Sequence, residues 1–217
     1  MNIEQARFNM VEQQVRPWEV LDARVLDLLF KLRREDFVPK DWHKLAFADL
    51  EIPLGHGAAM LAPRVEARMV QDLAIEPTDR VLEIGTGSGY VAALIAHLAA
   101  EVVSVEIVPE LAAAAAERVA AACPGLNVKV VQGDGARDWA DGAAWNAILL
   151  SGSVPAEPTA LLHRLAPGGR LLAVVGDAPL MHACVWTRRD TGFSSRILFE
   201  TVIPPLRNAK APERFSF

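Results

Sequence analysis

The sequence has few of the features that mark secreted, membrane-spanning or nucleic-acid-binding proteins. Its two cysteines, Cys123 and Cys184, lie far apart and lack a histidine at metal-ligand spacing, so we expect reduced packing residues. The longest apolar runs, such as Leu171–Val175, are much shorter than the roughly 20 residues that cross a membrane. No block of Lys or Arg occurs and the formal net charge is −5, which disfavours nucleic acid as a partner.

The amino-terminal stretch Met1–Val15 is polar and mixed in charge, without an apolar core followed by small residues. It does not fit a secretory signal, so the sequence predicts a cytoplasmic protein without a membrane partner. We find no Ser-His-Asp set, no paired acids and no cluster of metal ligands, so no metal is expected.

The chain of 217 residues has 52% hydrophobic and 23% charged residues, the composition of a packed globular protein. Residues 1–78 are predicted to form a helical extension with a glycine-rich pocket loop or short extended segment at Ile52–Met60. Its helices are predicted at Val20–Leu32, from apolar periodicity, and at Pro63–Leu73, which begins with a proline. Residues 79–217 are predicted to form the ligand-binding domain.

From residue 79 onward, strand-like and helix-like segments alternate, which predicts an α/β fold with a parallel, doubly wound sheet. The expected helices are Tyr90–Ala99, one from Pro109 to the Pro124-Gly125 stop, and Glu157–Leu165. Two late extended segments joined by Asp190-Thr191-Gly192 predict an antiparallel hairpin at the carboxyl-terminal edge. The expected strands are Arg80–Ile84, Val102–Glu106, Val128–Val131, Ala147–Leu150, Arg170–Val175, Met181–Thr187 and Ser195–Ile203.

The strongest motif is the run that follows the first of these strands, Gly85-Thr86-Gly87-Ser88-Gly89. Glycine lets the backbone turn sharply and approach a ligand that a Cβ would repel. The G-x-G-x-G spacing disfavours a dinucleotide and favours a nucleoside ligand such as S-adenosylmethionine (AdoMet). Glu83, just before the loop, is predicted to help hold the ammonium of the methionine part. The alternative is a tight strand–helix turn without a ligand.

Two further acidic positions fit the same ligand. Glu106 ends the second strand, where a carboxylate can accept hydrogen bonds from both ribose hydroxyls, and Ile107 follows it in the predicted cofactor site. Asp134, within Gly133-Asp134-Gly135, is predicted to accept from the exocyclic amine of adenine. The alternatives are a solvated strand end and a plain turn. Together these residues predict the Rossmann-like sheet of AdoMet-dependent methyltransferases.

The chain resembles the protein-L-isoaspartate O-methyltransferases over nearly its full length. That resemblance implies methyl transfer from AdoMet to the free carboxylate of an isoaspartyl residue in a damaged protein, with closure of the ester to a succinimide that can reopen as aspartate. The segments that carry it are Arg34–Pro39, Phe47–Asp49, Ile52–Gly57, Val81–Tyr90, Gly133–Gly135 and Leu165–Leu171.

The chain departs from this family at the acceptor pocket. The family carries a Thr-Ile-Ser-Gln-Pro-like run whose serine reaches the reacting site, whereas this chain has Ala59 and Leu61 at the threonine and serine positions. The family's Thr-Ala-Ala-like run after the fourth strand is replaced by Ser151-Gly152-Ser153. Ser151 and Ser153 could supply the missing hydroxyl or satisfy loop backbone groups. His56, flanked by two glycines, is the fourth predicted pocket residue.

These features predict an AdoMet-dependent carboxyl methyltransferase of the isoaspartate-repair type. A carboxylate is already charged at neutral pH and needs no base to attack a methyl group. The segment after the fourth strand lacks the Asn/Asp-Pro-Pro-aromatic motif of enzymes that methylate exocyclic amines, so amine methylation is disfavoured. Leu61 leaves two alternatives open: a relative acting on another, small acceptor, and an AdoMet-binding regulatory protein without catalysis. The sequence does not assign a function to the tail Arg207–Phe217.

Overall fold

The computed structural model describes residues 2–139 and 141–209. The amino-terminal part begins with helix α1 (Ile3–Met10), which continues through a π-helical stretch, Val11–Val15, into the short 3-10 turn Arg16–Trp18. Helix α2 (Ala23–Lys31) begins at Asp22, whose side chain accepts a hydrogen bond from the Arg24 amide. This cap explains why α2 is shorter than the predicted Val20–Leu32 helix.

Two further 3-10 helices, Arg34–Phe37 and Lys40–Leu45, lead to a small antiparallel hairpin of β1 (Ile52–Gly55) and β2 (Ala58–Met60). The glycine-rich segment Ile52–Met60 is therefore extended. Helix α3 (Pro63–Asp72) follows and begins with Pro63, as predicted. A single cluster of buried side chains joins the amino-terminal helices to one face of the main sheet. The predicted division of the chain at residue 78 stays a prediction.

The rest of the described chain alternates strands and helices. The elements, in chain order, are β3 (Arg80–Ile84), α4 (Tyr90–Ala96), β4 (Glu101–Glu106), α5 (Pro109–Ala122), β5 (Val128–Gln132), β6 (Trp145–Leu150), α6 (Thr159–Leu162), β7 (Leu165–Asp177), β8 (Leu180–Arg188) and β9 (Phe193–Glu200). The seven strands β3–β9 form one sheet in the order β5-β4-β3-β6-β7-β8-β9. The five strands β3–β7 run parallel, and β8 and β9 complete the sheet as an antiparallel meander. The predicted α/β class and the late hairpin are confirmed.

Several predicted boundaries are wrong. Helix α4 ends at Ala96 rather than Ala99, and β9 spans Phe193–Glu200 rather than Ser195–Ile203. The largest error concerns α6 and β7. The expected helix Glu157–Leu165 is only the short α6, and β7 begins already at Leu165 rather than at Arg170. Leu165 pairs with Trp145, and an irregularity in the register then lets the strand continue past Pro167. A Cβ on Gly169 would lie 2.8 Å from the Trp145 carbonyl oxygen, so the glycines that suggested a helix stop instead permit close strand pairing.

Packing on both faces of the sheet fixes the position of its carboxyl edge. One buried cluster lies between the sheet and helices α1–α5, and a second lies on the opposite face with α6. None of the helices in the described ranges is long and apolar enough to span a bilayer. The strand order reverses between β3 and β6, and in open α/β sheets ligands bind beyond the carboxyl ends of the strands at such a point.

Candidate active site

A cleft opens at this reversal point, beyond the ends of β3, β4 and β6. It encloses about 670 Å³, counting its open mouth. The glycine loop, the loop after β5, the β1–β2 hairpin and a segment near the carboxyl terminus surround it. Predicted residues from five separate parts of the sequence thus meet at one place: Leu61, Gly85 with Gly87, Glu106 with Ile107, Gly133–Gly135 and Ser151.

Glu106 is the central side chain on the cofactor side of the cleft. It is only 5% exposed, and its two carboxylate oxygens accept hydrogen bonds from the backbone N–H groups of Gly87, at 2.8 Å, and Val108, at 3.0 Å. Gly85 turns the chain at φ +94° and donates its N–H to the Val105 carbonyl at 2.8 Å. Each Glu106 oxygen keeps a further lone pair. Glu106 therefore shapes the glycine loop and can still accept from ligand hydroxyls.

The loop Gly133-Asp134-Gly135 forms the adjoining lip of the cleft, with Ile107 beside it. A Cβ on Gly135 would lie 2.6 Å from Cδ1 of Ile84, and one on Gly133 would lie 2.8 Å from the ring of Trp139. Both glycines are needed for close packing, and this packing holds Asp134 at the exposed edge. The Asp134 carboxylate accepts from the Ala136 amide, at 3.4 Å, and from Nδ2 of Asn208, at 2.8 Å.

Glu83 lies behind the cleft rather than in its main lining. It has no exposed surface, and its carboxylate accepts from the hydroxyls of Ser104, at 2.6 Å, and Ser151, at 2.7 Å. Burial raises the pKa of Glu83 to about 7, although both hydroxyls act in the opposite direction. Glu83 borders a smaller cavity behind the glycine loop. Contact with a ligand ammonium stays a prediction, and the structure places Ser151 between Glu83 and the main cleft.

The other predicted loop residues support the glycine loop from behind. The Thr86 hydroxyl lies 2.5 Å from that of Ser104, and the Ser88 hydroxyl accepts from the Tyr90 amide at the start of α4. A Cβ on Gly89 would lie 3.0–3.3 Å from Val119 and Ala115, so this glycine lets the loop pack against α5. Thr86, Ser88 and Gly89 do not line the main cleft of the described structure, whereas Gly85 and Gly87 do.

The side of the cleft that is predicted to receive the methyl acceptor, called the acceptor side below, is formed by Ala58–Leu61, which we call the acceptor segment. Leu61 is buried and lines both the main cleft and the smaller cavity. Its carbonyl accepts from Nη2 of Arg34 at 2.8 Å. Arg34 also pairs with the buried Glu66 and lies over the ring of Tyr90, 5.0 Å from its centroid. Desolvation raises the pKa of Glu66 to about 7 against the opposing effect of Arg34.

The three other predicted pocket residues occupy different environments. Ser151 lines the cleft. His56 is exposed in the β1–β2 turn at φ +53°, at the rim beside the lining residue Gly57. Ser153 is buried outside the lining, and its hydroxyl donates to the Ile203 carbonyl at 3.1 Å. Of the two roles considered for Ser153, the structure thus favours satisfaction of backbone groups.

The last part of the described chain belongs to the cleft although no sequence motif predicts it. Pro204, Pro205, Leu206 and Arg207 all line the cleft. The Leu206 side chain lies so close to Gly85 and Gly152 that a Cβ on either glycine would approach it within 2.9 Å. This segment follows the last predicted strand and has no recognisable motif, so only its position in the fold reveals it.

The chain matches known proteins over most of its length. The family model of protein-L-isoaspartate(D-aspartate) O-methyltransferase (PCMT) matches residues 6–207. A Myxococcus xanthus protein-L-isoaspartate O-methyltransferase is 47% identical over 157 residues, which covers 72% of this chain and 74% of the relative. The Koribacter versatilis enzyme of that name is 40% identical over 187 residues, which covers 86% of this chain and 83% of the relative.

Solved structures agree on the fold. A Plasmodium falciparum protein described as a protein-L-isoaspartate O-methyltransferase, in complex with S-adenosyl-L-homocysteine, superposes with a TM-score of 0.81 at 18% identity, covering 95% of this chain and 99% of the other. A second protein-L-isoaspartate O-methyltransferase gives a TM-score of 0.79 at 21% identity, covering 96% of this chain and 67% of the other. At such low identity these likenesses concern the fold.

Proposed function

This chain belongs to the protein-L-isoaspartate(D-aspartate) O-methyltransferase family, and on that premise we propose that it methylates the free carboxylate of isoaspartyl residues in damaged proteins or peptides. The family predicted from the sequence is confirmed, and with it the AdoMet-dependent methyltransferase class. The isoaspartyl acceptor, the cytoplasmic location and the roles of individual residues are our proposals.

The residues of the cleft suit AdoMet. Glu106 has spare lone pairs for ribose hydroxyls, and Asp134 presents a carboxylate at the lip for an amine such as that of adenine. Gly85 and Gly87 line the cleft next to Glu106. When bound there, AdoMet supplies a methyl group activated on a sulfonium. The protein's own task is then to hold the acceptor in line and to exclude water.

The observation that carries the proposed acceptor is the family match across residues 6–207, which includes the amino-terminal acceptor segment as well as the cofactor half. The site's chemistry supports it. A carboxylate acceptor arrives already ionised, so the site needs no general base. Glu66, which lines the smaller cavity together with Leu61, is buried and paired with Arg34, and Glu83 accepts hydrogen bonds from two serines.

A second candidate rests on Leu61. The acceptor segment presents Ala58, Ala59 and Leu61 to the cleft, an apolar surface that gives a carboxylate no hydrogen bond. Such a surface favours a less polar, small acceptor. An AdoMet-binding protein without catalysis is the third candidate, and it too would keep Glu106 and Asp134.

Methyl-labelled AdoMet with paired aspartyl and isoaspartyl peptides of identical sequence separates these candidates. We expect label to enter only the isoaspartyl peptide, as a base-labile ester. Binding of S-adenosylhomocysteine without transfer to either peptide would refute the isoaspartyl proposal. Transfer to a small molecule would then favour the second candidate, and no transfer at all the third.

A further inference from the structure

Arg207 lies at the mouth of the cleft and carries an exposed guanidinium. Its Nη2 lies 3.8 Å from the position that a Cβ on Gly57 would take, and Gly57 directly precedes the acceptor segment. The other charged side chains of the cleft lining are the acids Glu106 and Asp134. Within residues 2–139 and 141–209, Arg207 is thus the only basic side chain that lines this cleft.

The backbone before Arg207 is held firmly against the loop after β6. The Leu206 N–H donates to the Ser153 carbonyl at 2.9 Å, and the Ser153 N–H donates to the Pro204 carbonyl at 2.9 Å. The Ser153 hydroxyl adds a third bond, to the Ile203 carbonyl. The Leu206 side chain fills the space between Gly85 and Gly152. These contacts fix the chain one residue before Arg207.

The residue after Arg207 is anchored as well, on the cofactor side of the cleft. Asn208 donates its side-chain amide to Asp134 at 2.8 Å, and its carbonyl accepts from Nε of Arg137 at 2.8 Å. Asn208 has φ +59°, a left-handed conformation that asparagine tolerates better than most residues. Arg207 therefore projects from a backbone that is fixed on both sides.

The guanidinium itself makes no hydrogen bond or ion pair with any residue of the described ranges. By contrast, Arg34, Arg164 and Arg170 are all paired with carboxylates. An arginine on an anchored backbone, with free donors facing a cleft, is suited to bind an anionic group that arrives from solution. Its planar fork of donors matches a carboxylate.

We propose that Arg207 binds the acceptor carboxylate and thereby replaces the hydrogen bond that Leu61 does not provide. This inference rests on the proposed isoaspartyl acceptor. The negative charge of that carboxylate disappears as its oxygen forms the bond to the methyl carbon and the carbon–sulfur bond breaks. Arg207 therefore attracts the bound substrate at least as strongly as the transition state. Its loss raises KM and does not lower kcat in proportion.

The test compares steady-state methylation of an isoaspartyl peptide by the wild-type chain and by Arg207→Ala, Arg207→Lys and Arg196→Ala. Arg196 is a matched control because it is exposed on β9, away from the cleft. For Arg207→Ala we expect KM to rise about tenfold with kcat changed less than about twofold, a difference that corresponds to ~1.4 kcal/mol. Arg207→Lys should give an intermediate KM, because lysine keeps the positive charge but lacks the planar set of guanidinium donors. Arg196→Ala should match the wild type.

Two further measurements separate a binding role from a structural one. The dissociation constant of S-adenosylhomocysteine and the melting temperature should be the same in Arg207→Ala and the wild type. An unchanged KM in Arg207→Ala, with the wild type active, would overturn the role of Arg207 and leave the proposed function standing. A fall in kcat with weaker S-adenosylhomocysteine binding would also overturn it, in favour of a part in cofactor binding. A wild type that methylates no isoaspartyl peptide would remove both proposals.

Discussion

The two sides of the cleft are constructed differently. On the cofactor side, backbone groups and carboxylates form the surface, and each carboxylate also holds its own loop: Glu106 binds the amides of Gly87 and Val108. On the acceptor side, the acceptor segment presents apolar side chains to the cleft, and its support comes from behind, where Arg34 binds the Leu61 carbonyl and the buried Glu66. On the cofactor side, the residues predicted to contact the ligand also support their own loops. On the acceptor side, different residues serve these two purposes.

This difference has a consequence for how the site can change. A substitution on the cofactor side alters ligand contacts and loop geometry together. The side chain of residue 61 can be exchanged without loss of the Arg34 bond, because that bond involves the carbonyl. We therefore expect the acceptor side to tolerate changes of specificity as long as its buried ion pair remains intact.

The largest expected effect comes from breaking that ion pair. Arg34→Met leaves Glu66 buried without its partner and should lower the free energy of unfolding by about 3–5 kcal/mol. Denaturant-induced unfolding of the variant and the wild type measures this difference in the free energy of unfolding. The double variant Arg34→Met/Glu66→Leu should regain much of the loss, because it removes the uncompensated charge. A single variant within about 1 kcal/mol of the wild type would show that the pair does not support the acceptor side.

The next effect concerns Glu83 and its dependence on pH. Burial raises the pKa of Glu83 from 4.5 to about 7, so between these pH values the folded protein binds this proton more tightly than the unfolded chain does. The stability due to the protonated group is complete below pH 4.5 and is lost as the pH rises through 7. Glu83→Gln should remove this loss, so the variant gains up to about 3 kcal/mol relative to the wild type between pH 5 and pH 8.

Unfolding free energies of both proteins across this range test the prediction for Glu83. Glutamine keeps an acceptor and a donor for the hydroxyls of Ser104 and Ser151, so the fold should persist. A difference between the two proteins that stays constant with pH would contradict the raised pKa.

A smaller effect is expected at Glu106. Glu106→Ala should weaken binding of S-adenosylhomocysteine by about 1–3 kcal/mol, because it removes charged acceptors for the ribose and loosens the glycine loop. Calorimetry measures the affinity, with Glu110→Ala as a control on the exposed start of α5. Equal affinities of the wild type, Glu106→Ala and Glu110→Ala would show that Glu106 supports the glycine loop without contributing to ligand binding.

The smallest effect is expected at Leu61. Leu61→Ser restores a hydroxyl at the acceptor side. Because Arg207 is proposed to supply the missing hydrogen bond, this substitution should change the rate on isoaspartyl peptides less than about twofold in the otherwise unchanged protein and should raise it about tenfold, or ~1.4 kcal/mol, in Arg207→Ala. Leu61→Ala separates the effect of the hydroxyl from that of the added space and should not reproduce the gain. If the pocket serves another acceptor, Leu61→Ser should instead lower activity on that acceptor and leave isoaspartyl peptides unmodified.

The parts of the site that were predictable share a local origin. The glycine loop, Glu106 and Asp134 each lie at or just beyond the end of a strand, so spacing along the chain implies their position at the sheet edge. The pairing of Arg34 with Glu66 and the contact of Asn208 with Asp134 join distant parts of the sequence, and neither leaves a periodic pattern. Helix α6 was predicted too long because Pro167 and the following glycines indicate a helix end and a strand irregularity equally well.

The most direct test of the central claim is to follow repair itself. A peptide with one isoaspartyl residue is incubated with the protein and AdoMet, and chromatography quantifies the isoaspartyl, methyl-ester, succinimide and aspartyl forms together with S-adenosylhomocysteine. We predict one S-adenosylhomocysteine for each ester formed, followed by succinimide and then aspartyl peptide, with the aspartyl form inert as a substrate. S-adenosylhomocysteine binding without any loss of isoaspartyl peptide would contradict the proposed acceptor.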